Sequence, residues 1–302
     1  MKTQELQSKT NEILRKNGLD FNISKRALFD DKGIAANYYG LYNDKLNKCI
    51  HTVKEGYTVS QNEEIVKMVL TGMQKFGNEL SVTKAGVINE GRKIFLQLVI
   101  EGQSKVGDDI LKRYITVIDS NDGSTSLSVG IGDECMRCEN QFWKFYKNGE
   151  KFRHTITIEE KIKKLPILIE NALANSIKQI EIYKSFMSTK ISKDLAHNMV
   201  KHLIGFDREI TSPIELSKKS TRSINKMDKI YDAIDIEFSE VGDTLWGLMG
   251  GITRYTTHNL SSPKRENGKV ESMLIGGAYK MNQKAFEFCL DHQDKTELVS
   301  AD

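Results

Sequence analysis

Apart from one helical run after Asn62, the spacing of apolar residues along this chain is that of strands up to Pro166 and that of helices after it. Before that point, short runs rich in aromatic and β-branched residues are separated by turn residues. Beyond it, apolar residues recur three and four apart. A doubly wound parallel sheet needs the two patterns to alternate, so strands followed by helices favour an α+β fold. The expected architecture is an N-terminal antiparallel β-rich half with one packed helix, followed by a helical C-terminal half.

Within the first half, residues 1–37 read as a lead-in with a small helix, including the apolar clusters Ile13-Leu14 and Ala27-Leu28-Phe29. Residues 38–58 read as a hairpin turning at Asn43-Asp44. Asn62 then precedes Ile65, Val66, Val69, Leu70, Met73 and Phe76, an amphipathic helix capped by Asn62 and stopped before Gly77. Strands are expected over 80–87 and 93–100, and a second hairpin over 113–131 turns at Ser120-Asn121-Asp122-Gly123.

Helical spacing carries Ile169, Leu173, Ile177, Ile180, Tyr183 and Met187, and then Leu195, Met199 and Leu203 before Gly205. It continues through Ile224, Met227, Tyr231 and Ile234 and through Val241, Leu245, Leu248, Ile252 and Tyr255. Gly250-Gly251 inside the last run costs about 1 kcal/mol per glycine relative to alanine, so a kink or a close contact is expected there. No linker or internal repeat divides the chain. One domain is expected over 38–290, with a β-rich part to 158 and a helical part from 159, followed by a polar tail over 291–302.

Apolar residues at 39% and charged residues at 28% are a globular balance. No run reaches the length of a membrane span and the N-terminus is polar, so the bacterial cytoplasm is the expected location and no membrane partner is expected. Four cysteines, Cys49, Cys135, Cys138 and Cys289, are too sparse for a disulfide scaffold. The net charge of +3 is unevenly spread: residues 151–230 hold 16 Lys and Arg against 9 Asp and Glu, a local +7. That half is a candidate polyanion surface, although lysine-rich helices also serve simply as solvated faces.

Chemistry concentrates after the second hairpin. Phe142, Trp143, Phe145, Tyr146 and Phe152 interleave with Lys144, Lys147, Lys151, Arg153 and His154. Exposed rings stack bases and cations hold phosphates, so Trp143 and Tyr146 are assigned to stacking and Lys144, Lys147, Lys151 and Arg153 to phosphates, with Arg92 and Lys93 secondary. The competing reading places the rings in the core, because Phe142, Phe145 and Tyr146 are three and four apart. Cys135 and Cys138 form a lone CxxC without the second ligand pair of a structural zinc site, and no metal is expected. Cys138, Asn140 and His154 are the residue types of a thiol catalytic site, the alternative reading. No glycine-rich phosphate loop is present, and no cofactor is expected.

Several short motifs occur in a specific order: Tyr57-Thr58-Val59-Ser60-Gln61-Asn62, Ala85-Gly86 with Gly91-Arg92-Lys93, and Asn121-Asp122-Gly123-Ser124. Arg137-Cys138-Glu139-Asn140, Arg153-His154-Thr155, and Thr244-Leu245-Trp246-Gly247 with Thr253 and His258 follow. In these the chain resembles the family called domain of unknown function 932 over roughly 40–279. Gln141 stands where that family usually has threonine, and Cys135 is an extra cysteine. The resemblance implies carriage by a phage or plasmid. The functional expectation is therefore a nonenzymatic protein that binds single-stranded nucleic acid in recombination or replication, for which a homo-oligomer would be suitable.

Overall fold

The computed structural model describes residues 3–145, 152–205 and 221–293. The chain is α+β, with antiparallel sheets first and helices afterwards. Helix α1 (Thr3–Lys16) leads into a three-stranded sheet, β1 (Ile23–Phe29), β2 (Ala35–Asn43) and β3 (Lys48–Val53). Strand β1 lies where the sequence reads as an irregular lead-in. Ser24, Lys25 and Arg26 interrupt any apolar alternation, and pairing with β2 rather than propensity makes it a strand.

Helix α2 (Asn62–Met73) starts at the residue expected to cap it. Asn62 does not act as the cap; its amide donates instead to the carbonyls of Leu19 and Phe21 at 3.0 and 3.3 Å, tying the helix start to the segment that follows α1. A 3₁₀ turn (Gln74–Glu79) follows. The main sheet is then a meander, β4 (Leu80–Ile88), β5 (Lys93–Val106), β6 (Asp109–Ser120), β7 (Ser128–Cys135) and β8 (Gln141–Phe145), each strand antiparallel to the next. Strands β5 and β6 extend beyond the expected runs because the tight turn at Gly107-Asp108, with Gly107 at φ +57°, joins them as a long hairpin.

Alternation along β5 shows how the sheet is sandwiched. Ile94, Leu96 and Leu98 enter the core shared with α1, α2, α3 (Ile158–Ile162) and the start of α4 (Leu165–Ser188). Phe95 and Val99 point to the opposite face, which is covered by α8 (Gly268–Leu274) and the start of α9 (Gly277–His292). A third core joins the far end of the sheet to the rest of α4, α5 (Lys193–Ile204), α6 (Thr221–Val241), α7 (Leu245–Arg254) and α9. Ser192 caps α5, and Gly205 ends it with φ +77°.

Gly250-Gly251 marks a close approach of two helices. A Cβ at Gly251 would lie 2.5 Å from Ile234 Cγ1 and 2.6 Å from its Cα, so bare backbone lets α7 press on α6. No helix among the described residues is long and apolar enough to cross a membrane.

Candidate functional site

Strand β8 turns the aromatic-cationic segment into a sheet edge, so its side chains alternate between faces. Trp143 is only 4% exposed and lies across Gly132 of β7, where a Cβ would come within 1.9 Å of the ring. This corrects the stacking role expected of Trp143: the space left by a cross-strand glycine takes the ring inward, against Tyr114. Phe142 and Phe152 are buried as well. Lys144 lies on the other face of β8, over the Phe286 ring at 4.2 Å.

Lys93 is also corrected as a phosphate ligand, because it is buried and paired with Asp122 at 2.9 Å and Glu271 at 3.1 Å. Arg92 is half-buried, with its Nε lacking a partner among the described residues, and Arg153 is exposed. Tyr146, Lys147 and Lys151 lie outside the described residues.

The motifs that carry the family resemblance meet in two places, at opposite ends of β6. Leu111, near its start, pairs with Cys135; Asp119 lies eight residues further on, about 25 Å at the usual strand rise. At the Asp119 end, His154 Nε2 donates to Asp119 Oδ1 at 2.8 Å and Nδ1 faces the Thr58 carbonyl at 3.2 Å. Ser60 Oγ donates to Asp119 Oδ2 at 2.5 Å, and Tyr57 stacks parallel on the imidazole at 4.9 Å. Burial alone would lower the His154 pKa, but the Asp119 charge and these hydrogen bonds carry it above its ordinary value. With both ring nitrogens facing acceptors, the charged form of the ring is favoured, and the cluster ties three segments together.

At the other end, the turn between β7 and β8 carries Arg137, Cys138, Glu139 and Asn140 against α6 and α7. Arg137 Nε donates to buried Asp109 at 2.8 Å, and its guanidinium also pairs with Glu237 and Glu240. Arg254 approaches Glu237 at 3.1 Å, Asn140 Nδ2 donates to the same carboxylate at 2.8 Å, and Trp246 Nε1 donates to Asp109 at 2.8 Å. Two buried carboxylates are thus neutralised by two arginines, and removing either arginine would leave buried charge uncompensated.

In front of this network lies an open cleft of about 480 Å³, lined by Arg137, Cys138, Glu139, Lys229, Asp232 and Arg254, with His258 and Asn259 at one end. His258 Nε2 donates to the Cys138 carbonyl at 3.0 Å, holding the turn in place. The alternative thiol site is not assembled. Cys138 and Asn140 share the turn, but His154 belongs to the Asp119 cluster at the far end of the sheet. The Cys138 thiol is also pushed up, first by the hydrogen bond it shares with Cys135 and then by burial, which opposes a thiolate there.

Sequence reasoning missed Glu237, Arg254, Asp109 and Lys229. Glu237 left a signal: Ile230, Ala233, Ile234 and Glu237 follow one another at three, one and three, so a carboxylate occupies the apolar stripe of α6. A charge in that position demands partners, and among the described residues its cationic ones are Arg137 and Arg254.

A five-stranded meander covered on both faces, with the β7–β8 turn clamped by a helix pair, defines the class of α+β protein. The chain belongs to the family described as domain of unknown function (DUF932), which matches residues 49–274. No curated protein and no solved structure matches the chain.

Proposed function

We propose that this chain is a phage- or plasmid-borne protein that binds single-stranded nucleic acid, acting in recombination or replication rather than catalysing a reaction. One observation carries the reading: Arg137, Lys229, Arg254 and His258 line a single open cleft large enough for a nucleotide-sized group. Lys229 suits phosphate, while Glu139, Asp232 and Asn259 offer acceptors to the amino groups of a splayed base. The local +7 over residues 151–230 includes Lys229 and supplies longer-range attraction. Recognition is through polar groups in the cleft, with Trp143 and Lys93 having structural roles.

The test is fluorescence anisotropy of a labelled single-stranded oligonucleotide across a salt series, with the intact protein and with Lys229→Glu. Lys229 is exposed, so its replacement should leave the fold intact. Affinity should fall steeply with salt, and the variant should bind more weakly with a log-log slope shallower by about 0.7 to 1 for each phosphate it no longer neutralises. No binding at low salt, or equal binding by Lys229→Glu, would remove the reading.

A further inference from the structure

The hairpin of β1 and β2 runs past the body of the protein. At Arg26, Ala27 and Phe29 on one strand and at Ala35, Ala36, Asn37 and Tyr38 on the other, adjacent residues are exposed, so both faces of the ribbon meet solvent. Phe29 is 64% and Ile34 is 63% exposed, and Tyr38 is also exposed. The tip is nevertheless built. Asp30 Oδ1 accepts from the amides of Lys32 and Ile34 at 2.9 and 2.8 Å, and the Asp30 amide donates to the Ile34 carbonyl at 2.9 Å. A two-stranded ribbon is marginal in water, so an ordered one that displays large apolar side chains has the form of a docking element.

A matching surface lies elsewhere on the same chain. Between α1, the end of α2 and the outer edge of β4 is a groove of about 560 Å³. Its floor is apolar, from Ile13, Leu70, Met73, Leu80 and Val82, and its rim carries Lys9, Lys16 and Lys84 against Glu12. Lys9 pairs with Glu5 at 3.3 Å, whereas Lys16 and Lys84 have no ion pair among the described residues. Strand β4 is an edge strand, and a bulge between Val82 and Lys84 breaks its ladder, so the groove favours inserted side chains over an added strand. The hairpin tip offers what the groove lacks: Phe29 and Ile34 for the floor, and the carboxylates of Asp30 and Asp31 for the lysine rim.

We infer that the β1–β2 tip of one copy docks in the α1–β4 groove of a second copy. The tip's own exposure shows that it does not occupy the groove of its own chain. Because tip and groove are different patches, the interface is head-to-tail, and repetition gives a closed ring or an open filament. Such an assembly would array one cleft per copy along a strand, but the interface does not depend on nucleic acid.

Light scattering coupled to gel filtration, without nucleic acid, tests it over a wide range of protein concentration. The intact chain should exceed its single-copy mass of 34.3 kDa and grow with concentration. Phe29→Ser/Ile34→Ser, altered only at exposed positions, and Lys16→Glu/Lys84→Glu should each remain at that mass. Mixed together, these two variants should stop at a one-to-one pair, because only one sound tip meets one sound groove. A monomeric intact chain, or assembly that survives both sets of changes, would overturn the inference. So would a groove variant that assembles normally yet loses oligonucleotide binding, since nucleic acid would then occupy the groove. Failure of Lys229→Glu to weaken oligonucleotide binding would leave this interface untouched.

Discussion

Asp109 at the start of β6 and Trp246 in α7, 137 residues apart, are joined by an indole hydrogen bond of 2.8 Å. Asp109 is 3% exposed and its other oxygen accepts from Arg137, so the indole completes a carboxylate that water does not reach. Trp246→Phe keeps most of the ring volume and removes the donor. It should destabilise the protein by about 1 to 3 kcal/mol, the cost of leaving a buried charged acceptor short of one partner. Urea denaturation followed by far-ultraviolet circular dichroism measures it, and an unchanged midpoint would show that the bond contributes nothing.

The packing of α7 on α6 reverses the usual helix preference. Alanine is intrinsically better than glycine in a helix by about 1 kcal/mol. At Gly251 the added methyl would lie 2.5 Å from the Ile234 side chain and 2.6 Å from its backbone, and backbone cannot rotate away. Gly251→Ala should therefore lower stability, by about 1 to 3 kcal/mol as in other overpacked cores. Ile234→Val in the same background should not restore it fully, because the clash with the backbone of residue 234 persists. A melting temperature equal to or above that of the intact protein would contradict the geometry.

The order of strands and helices was legible because periodicity is local: Val69 and Leu70, or Ile180 and Tyr183, declare their face within two turns. Strand β1 was not legible, since Ser24, Lys25 and Arg26 become a strand only by pairing with β2. The fate of Trp143 was half legible. Two glycines at alternate positions of β7, Gly130 and Gly132, are the floor for Phe145 and Trp143, but the register that sets them opposite is a long-range property. The cleft was least legible, because Arg137, Lys229 and Arg254 come from three separate elements. No spacing rule links them; the burial of Glu237 accounts for the two arginines and leaves Lys229 without a sequence signal.

Asp133 on β7 is buried, accepting a hydrogen bond from Tyr183 at 2.8 Å, and burial raises its pKa from 3.8 to about 7 despite that bond and nearby Arg113. A carboxyl whose folded pKa is raised stabilises most below its unfolded value, and that contribution is lost as pH rises through the folded value. The sensitive window is therefore about pH 4 to 7, between those two values. Asp133→Asn keeps an acceptor for Tyr183 without a charge to bury. Its stability relative to the intact protein should improve across that window and level off above it, by on the order of 2 kcal/mol or more at ~1.4 kcal/mol per unit of displacement. Thermal melts of both proteins at about pH 5 and pH 8, inside and above the window, provide the comparison, and a gap that does not widen would mean Asp133 is ionised without cost.

His154 gives a pH signature of the same sign from the opposite kind of group. Its folded pKa lies above the ordinary 6.5 because Asp119 and the Thr58 carbonyl outweigh the effect of burial. Stabilisation by the charged ring is therefore complete below the unfolded pKa and fades as pH rises through the folded one. His154→Gln retains hydrogen bonding but not the cation, leaving Asp119 without its charge partner. The loss should be about 3 kcal/mol near pH 6, as for other broken buried pairs, and smaller near pH 9, because a rise in pH through the folded pKa removes the charge that pairs with Asp119. Denaturation midpoints of both proteins at the two pH values decide it. A deficit of equal size under acidic and alkaline conditions would show that the neutral ring already does everything required, so the Asp119 pair would hold its three segments by hydrogen bonds alone.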